Sequence, residues 1–341
     1  MKEFKIRENE AGQRFDKYLA KLLEEAPKSF FYKMMRKKNI TLNGKKAQGN
    51  EMLCTGDMVK LFLSDETFEK FSSAKQASHA RAKLQIIYED QDVLFINKPA
   101  GMLSQPAGDG TPSLVEYLTG YLLDTGALNA ADLVTFRPGV CNRLDRNTSG
   151  LVAAGKSLTG LQDLSAMFHN RNMEKFYLCL VVGVIKNEKY IKGYLHKDEK
   201  CNKVIISADR TEDSQPIKTR YRPVCDNGKY TLLEVELITG RTHQIRAHLG
   251  SIGHPFLGDA KYGDRDFNRA YTKFGVRNQL LHAYKLEIPQ TGQTFLAKVP
   301  QLFESILNEE HLKGSYYENL EISVGVCQDD HPGSGDRNCG Q

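Results

Sequence analysis

The tightest constraint on this chain is a sharp change of character at residue 150. Residues 143–150 read Arg-Leu-Asp-Arg-Asn-Thr-Ser-Gly, and the next four are Leu151-Val-Ala-Ala154. Asn147, Thr148 and Ser149 carry short polar side chains that bond to nearby backbone, and Gly150 is free to take positive φ. The apolar run behind them has the length of a buried strand. Such a chain delivers three charged side chains, Arg143, Asp145 and Arg146, on a tight turn at the mouth of a buried sheet. Loops held by rigid elements in this way are where chemistry usually sits. The two guanidiniums favour a charged Asp145 even where it is partly buried. Local composition leaves two readings open: a catalytic carboxylate, and a structural Asp–Arg bridge at a strand end.

Gly150-Leu-Val-Ala-Ala-Gly-Lys-Ser157 also fits the phosphate-binding loop of nucleotide hydrolases. That motif needs a flexible loop between strand and helix, with backbone amides cradling phosphate. Here the residues between the glycines are apolar and strand-like, and no apolar run ending in Asp follows to hold magnesium. The nucleotide reading is the weaker one, and a nucleotide-binding titration tests it directly.

No apolar run approaches the roughly 20 residues of a membrane helix, and Met1–Glu10 is charged, with no signal core. The seven cysteines are odd in number and scattered without a Cys-x-x-Cys pair. A disulfide framework or zinc ribbon is therefore not expected, and a reducing, cytoplasmic setting is. A length of 341 residues suggests two domains. The net charge of +5 lies entirely in residues 1–65, which hold 14 Lys and Arg against 9 Asp and Glu. Seven basic residues and no acid fall between Lys28 and Lys46. A basic patch confined to one small module points to phosphate backbones more than to a solvated face.

Phe15, Tyr18, Leu19, Leu22 and Leu23 form the stripe of an amphipathic helix. Ser29 is the expected cap of a second helix, with Phe31, Met34 and Met35 inward and Lys33, Arg36 and Lys37 outward. Ile40–Asn43 and Met58–Leu63 read as strands, with Asn43-Gly44 as turn punctuation. Residues 66–83 are polar and read as a linker that lets two modules move. From 84 to 312 a larger domain is expected, and 313–341 reads as a flexible tail. In it, Gln85–Glu89, Val93–Ile96, Lys175–Val182, Leu233–Leu237 and Leu280–Ile288 have the composition of strands. Helices are expected at 113–123, from Leu158 to about 170, from Arg241, and at 300–312. The sum is α+β with a mostly antiparallel sheet. His243, His248 and His254 miss the i, i+4 spacing of paired ligands on one helix face, so no metal site is expected; His248 shares the apolar stripe and reads as a core histidine. Tyr177, near the start of a strand, reads by itself as a core aromatic.

Asn142-Arg-Leu-Asp-Arg-Asn-Thr-Ser-Gly150 resembles the catalytic motif of the RluA-type pseudouridine synthases, where the first position is usually His. Further elements of that family stand in order: Asn97-Lys-Pro-Ala-Gly101, Lys175-Phe-Tyr177, Gly240-Arg-Thr-His-Gln-Ile-Arg-Ala-His248 and Leu280-Leu-His-Ala-Tyr284. The resemblance spans about residues 13–305, and residues 1–65 resemble the S4 RNA-binding module. It implies a mixed, mostly antiparallel catalytic domain behind an S4 module, and isomerisation of uridine in structured RNA. Ribosomal large-subunit RNA is the substrate it implies first, transfer RNA second. It makes Asp145 catalytic, pairs Arg241 with it, stacks Tyr177 on the extruded base, lines the base pocket with Leu281 and gives Arg143 a phosphate or the opened helix. Lys33, Arg36, Lys37, Lys38 and Lys45 would meet RNA. Because the reaction only rearranges atoms, no cofactor is expected, and the protein is read as a monomer. A catalytically inactive RNA chaperone of the same fold is the alternative, against which intact Asp145, Tyr177 and Arg241 stand.

Overall fold

A computed structural model of the protein describes residues 1–72, 79–198 and 203–312. Residues 73–78 of the expected linker and the tail expected at 313–341 lie outside the described residues. The chain divides into two compact units: Met1–Met173 with Glu287–Phe295, and Glu174–Leu286 with the segment beginning at Leu296. No described helix is long and apolar enough to cross a membrane.

The first unit opens with β1 (Lys2–Lys5), α1 (Phe15–Leu22), α2 (Lys28–Arg36), β2 (Ile40–Leu42), β3 (Lys45–Lys46) and β4 (Met58–Leu61). The strands form an antiparallel sheet in the order β1-β4-β2-β3. The expected stripe of Phe15, Tyr18, Leu19, Leu22 and Leu23 is buried with Phe31, Met35, Ile40 and Val59. This burial of one helix face, more than propensity, stabilises such short helices. α2 begins at Lys28 behind Pro27, not behind the expected cap Ser29. Proline presets φ and has no amide hydrogen to satisfy, so a helix can start directly after it.

The polar stretch that follows holds α3 (Asp65–Phe71), capped by Ser64, whose hydroxyl accepts from the Thr67 N–H. Phe68 and Phe71 of α3 pack on the N-terminal core. That core also touches the rest of its unit. Arg7 donates to Asp132 at 2.5 Å, Arg137 pairs with Glu24 at 2.8 Å, and the Gln162 amide donates to the Gly12 carbonyl at 3.0 Å. Glu10 is buried between Arg7 and the Thr135 hydroxyl. Burial alone would push its carboxyl up, but hydrogen bonds from Arg7 and Thr135 hold it below the usual carboxylate range. These contacts stand against the free movement read from the polar stretch.

The unit continues with β5 (Ile86–Glu89), β6 (Val93–Lys98), α4 (Leu114–Asp124), β7 (Gly139–Val140), β8 (Ser149–Gly155) and α5 (Leu158–His169). β6 lies between β5 and β8, β7 also pairs with β8, and all of these pairs are antiparallel. All seven residues of β8 are buried. Leu151–Ala154 pair with Asn97–Leu94 of β6, so the stretch between the glycines is a strand with no loop to cradle phosphate. A Cβ on Gly155 would fall 2.5 Å from the Leu161 backbone. Only glycine lets α5 pack this close behind β8.

The second unit carries β9 (Glu174–Val182), β10 (Lys189–Asp198), β11 (Lys203–Ser207), β12 (Gln215–Asp226), β13 (Tyr230–Leu237), α6 (Gln244–Ser251), α7 (Arg265–Tyr271), β14 (Leu281–Ile288) and α8 (Gln301–Glu309). Its strands run in the order β11-β10-β12-β13-β9-β14. Leu178, Leu180, Leu232 and Tyr284 cluster with Phe303, Ile306 and Leu307 of α8. Leu195, Val204 and Ile217 pack on Ala247 of α6. The architecture is the α+β fold expected, with a small N-terminal sheet module and helices packed on mixed, mostly antiparallel strands in each unit.

Candidate active site

In the first unit the loop 141–149 is held from three sides. The Thr148 N–H donates to the Asp145 carbonyl at 3.0 Å and closes a tight turn, and Gly150 takes φ +118° as the chain enters β8. Ser104 clamps the opposite side of Asp145: its hydroxyl donates to the Leu144 carbonyl at 2.9 Å and accepts from the Leu144 N–H at 3.1 Å. Asn142 turns its amide onto β8, donating to the Leu151 carbonyl at 3.1 Å and accepting from the Ala153 N–H at 2.8 Å. One side chain thus acts as an extra strand residue and continues the pairing that β7 begins.

The third restraint is Lys98, at the end of β6 and fully buried. Its ammonium donates to the carbonyls of Pro99 at 3.0 Å, Met102 at 2.8 Å and Arg146 at 3.2 Å. Burial pushes its pKa down to about 7, partly opposed by the nearby charge of Asp145. Arg146 is tied to the same loop, its Nε donating to the Gly101 carbonyl at 3.1 Å and its carbonyl accepting from the Gly101 N–H at 2.8 Å. Asp145 is left half-buried between two fixed neighbours, with Arg143 and Arg146 exposed on either side. A carboxylate held this way is preorganised: it needs no rearrangement to meet charge developing beside it.

The second unit carries the other expected residues. Tyr177 is buried in β9 opposite Val235 of β13. Leu281 is buried as the first residue of β14. Arg241 is exposed, and α6 begins three residues later than expected. The cause lies at His243, which sits in the left-handed region at φ +53°. Such a conformation costs a residue other than glycine about 1–3 kcal/mol and persists only where its surroundings enforce it. Here the His243 ring bonds the Tyr262 hydroxyl at 3.1 Å, and Gln244 behind it is buried and bonded on every side.

The histidines of this segment are engaged in protein contacts. His248 is buried, its Nδ1 3.0 Å from the Thr219 hydroxyl, and burial pushes its pKa down to about 4. His254 Nδ1 bonds the Val182 carbonyl at 3.0 Å. Among the described residues no group of three or more His, Cys, Asp or Glu is placed to hold a metal. The basic residues expected to meet RNA, Lys33, Arg36, Lys37, Lys38 and Lys45, are all exposed around α2 and β3.

Ser104 does not stand out in the sequence, and Lys98 and Gln244 enter it only as members of the stretches Asn97–Gly101 and Gly240–His248, with no role of their own. A lysine closing the apolar run Val93-Leu-Phe-Ile96 is a further signal, since a buried lysine must find partners. Only the fold shows what these three side chains touch.

The first unit thus sets a half-buried carboxylate on a tight, well-bonded loop at the end of a buried antiparallel strand, with an exposed basic N-terminal module in the same unit. The family model of RNA pseudouridylate synthases matches residues 92–251. Ribosomal large subunit pseudouridine synthase C of Vibrio vulnificus (strain CMCP6) is 33% identical over 306 residues, 86% of this chain and 91% of that one. The protein of the same name from Escherichia coli (strain K12) is 31% identical, again covering 86% of this chain and 91% of its own. Among solved structures, human RNA pseudouridylate synthase domain containing 4 has the same fold, with a TM-score of 0.55 and 22% identity over 67% of this chain and 93% of that one. The chain belongs to the RNA pseudouridylate synthase family and is an isomerase.

Proposed function

We propose that the protein converts specific uridines of large-subunit ribosomal RNA to pseudouridine, with Asp145 as its catalytic carboxylate. The reaction breaks the N1–C1′ bond, turns the base and joins C5 to C1′; the C5 proton leaves and N1 gains one. No atom or electron is supplied from outside. The observation that carries the reading is the clamp on Asp145, bonded through its own carbonyl and through both peptide groups of Leu144. A group so fixed can attack the sugar or stabilise the positive charge that bond cleavage develops there. Arg241 pairs with it, Tyr177 stacks on the base, Leu281 lines the base pocket and Arg143 takes a backbone phosphate. The target base must leave its stack, at a cost of a few kcal/mol, so exposed bases in folded RNA are favoured. The basic face of residues 28–46, an S4-type module, holds that RNA. The enzyme acts as a monomer in the cytoplasm. The ribosomal substrate is supported by the names of its relatives, and transfer RNA is the competing substrate.

Asp145→Asn is the decisive variant, because it keeps the volume and removes the charge. With saturating enzyme and uridine RNA tritiated at C5, the single-turnover rate should fall at least ~10⁴-fold, about 5.5 kcal/mol of transition-state stabilisation. RNA affinity should stay within a few-fold. Residual activity above about a tenth of wild type would overturn the assignment, since removing one preorganised charge should cost far more than one order of magnitude. Pseudouridine maps of ribosomal and transfer RNA from cells with and without the gene then name the substrate.

A further inference from the structure

The segment Thr239–His248 contains a hydrogen-bond network with Gln244 at its centre. Gln244 is 2% exposed and is the first residue of α6. Its Oε1 accepts from the Thr239 hydroxyl at 2.9 Å and from the Arg241 N–H at 3.2 Å. Its Nε2 donates to the Lys218 carbonyl at 3.0 Å and to the Thr219 hydroxyl oxygen at 3.1 Å. An amide offers two lone pairs and two hydrogens, and here all four are used. Thr219, wholly buried, is also hydrogen-bonded to His248 Nδ1 at 3.0 Å, and that ring in turn engages the Lys192 backbone. The chain of bonds therefore runs from β10, across β12 and α6, to the peptide of Arg241. The Gln244 N–H closes it by donating to the Arg241 carbonyl at 3.0 Å.

Both backbone groups of Arg241 are thus bonded to one buried residue, while its side chain is exposed. The strained His243 between them is the cost of this arrangement, and strain of that kind persists where several contacts over-determine it. We propose that Gln244 is a positioning residue of the reaction, which fixes the peptide of Arg241 so that its guanidinium starts from one place. The inference rests on the reading of Arg241 as the partner of Asp145. No other side chain does the same work at this position. Glu would set oxygens against the Lys218 carbonyl and the Thr219 hydroxyl. Asn is one methylene too short to reach both strands, and Met fills the volume but leaves the Arg241 N–H without its partner and the Lys218 carbonyl with Thr239 alone.

A double-mutant cycle separates positioning from a merely structural role. Gln244→Met should slow single-turnover isomerisation about 10–100-fold, the usual effect of losing a group that orients a functional residue. Affinity for the same RNA should stay within about three-fold, because the phosphate contacts that set it lie elsewhere. In an Arg241→Met background the same change should cost less than about two-fold, since groups acting as a unit are non-additive. Thr239→Val, which removes one of the two hydrogens given to Oε1, is the milder variant if Gln244→Met does not fold. It should show a smaller loss with the same non-additivity, and circular dichroism checks that each variant is folded. A rate equal to wild type in both Gln244→Met and Thr239→Val, or equal losses in both Arg241 backgrounds, would overturn the inference while leaving Arg241 in place. Full activity of Arg241→Met alone would overturn the reading of Arg241, and the inference with it.

Discussion

At the scale of single residues, Asn142 shows how a departure from a family's usual residue can be absorbed. Its amide both donates to and accepts from the backbone of β8, at Leu151 and Ala153. Histidine has a donor and an acceptor too, on a larger ring. Asn142→His should therefore retain activity near the native level. Asn142→Leu strands the Ala153 N–H and the Leu151 carbonyl, at about 1–3 kcal/mol for a buried polar group left unpaired. The loop that carries Asp145 loses one of its supports, so turnover should fall roughly 10-fold in the same tritium-release assay. A Leu variant with native turnover and native unfolding midpoint would show that this amide supports neither loop nor strand. Lys98 teaches the complementary lesson. Its three carbonyl acceptors make a buried cation tolerable, and one of them belongs to Arg146, the residue after Asp145.

At the scale of elements, β14 carries a titratable group in its buried interior. His282 is wholly buried with Nε2 3.0 Å from the Ala297 carbonyl, and burial pushes its pKa down to about 4. In the unfolded chain it titrates near 6.5. Between those values the unfolded state binds the extra proton, so stability falls as pH drops from about 6.5 to 4. From pH 7 to pH 5 this one group should remove about 2 kcal/mol of unfolding free energy. His282→Gln keeps an amide donor and cannot titrate. Urea unfolding at the two pH values should show a loss smaller by that amount in the variant, and equal losses would show that His282 is not held neutral. Elements with a strong period are legible in the sequence: the stripe of α1, the apolar run of β8 and the aromatic-rich β9 lie where the spacing puts them. β10 is not, because exposed Lys189, Tyr190, Lys192 and Lys197 fall on both of its faces and break the alternation of a half-buried strand. The start of α6 departs from the local pattern because the left-handed turn at His243 is set by Tyr262, nineteen residues on. A local pattern cannot show a contact of that range. For the same reason Asp145 stands out in the sequence while its clamp, Ser104, forty residues from the Leu144 it bonds, does not.

At the scale of the molecule, the basic N-terminal module is fastened to the rest of the first unit. Deleting residues 1–65 removes the partners of Asp132, Thr135 and Arg137 along with the exposed lysines. Two outcomes are expected. RNA affinity should become less sensitive to salt, the slope of log K against log[salt] falling by about 0.7–0.9 for each phosphate that the shortened protein no longer neutralises. The truncated protein should also unfold several degrees lower, because Thr135 and the loop around it are uncovered. An unchanged salt slope would show that the basic run is only a solvated face, and an unchanged midpoint that the docking bonds carry no stability.

Those docking bonds also bear on avidity. When two binding surfaces hang on a loose tether, engaging the second is governed by how often the tether brings it within reach. Arg7, Glu10 and Glu24 take the place of such a tether here, since they bond directly to residues 132–137. On the function proposed above, an RNA seated near Asp145 would meet the lysines of α2 at a local concentration set by geometry. An RNA whose fold could not span both places would gain nothing from the second, and the spacing would then act as a filter on shape that reads no base at all.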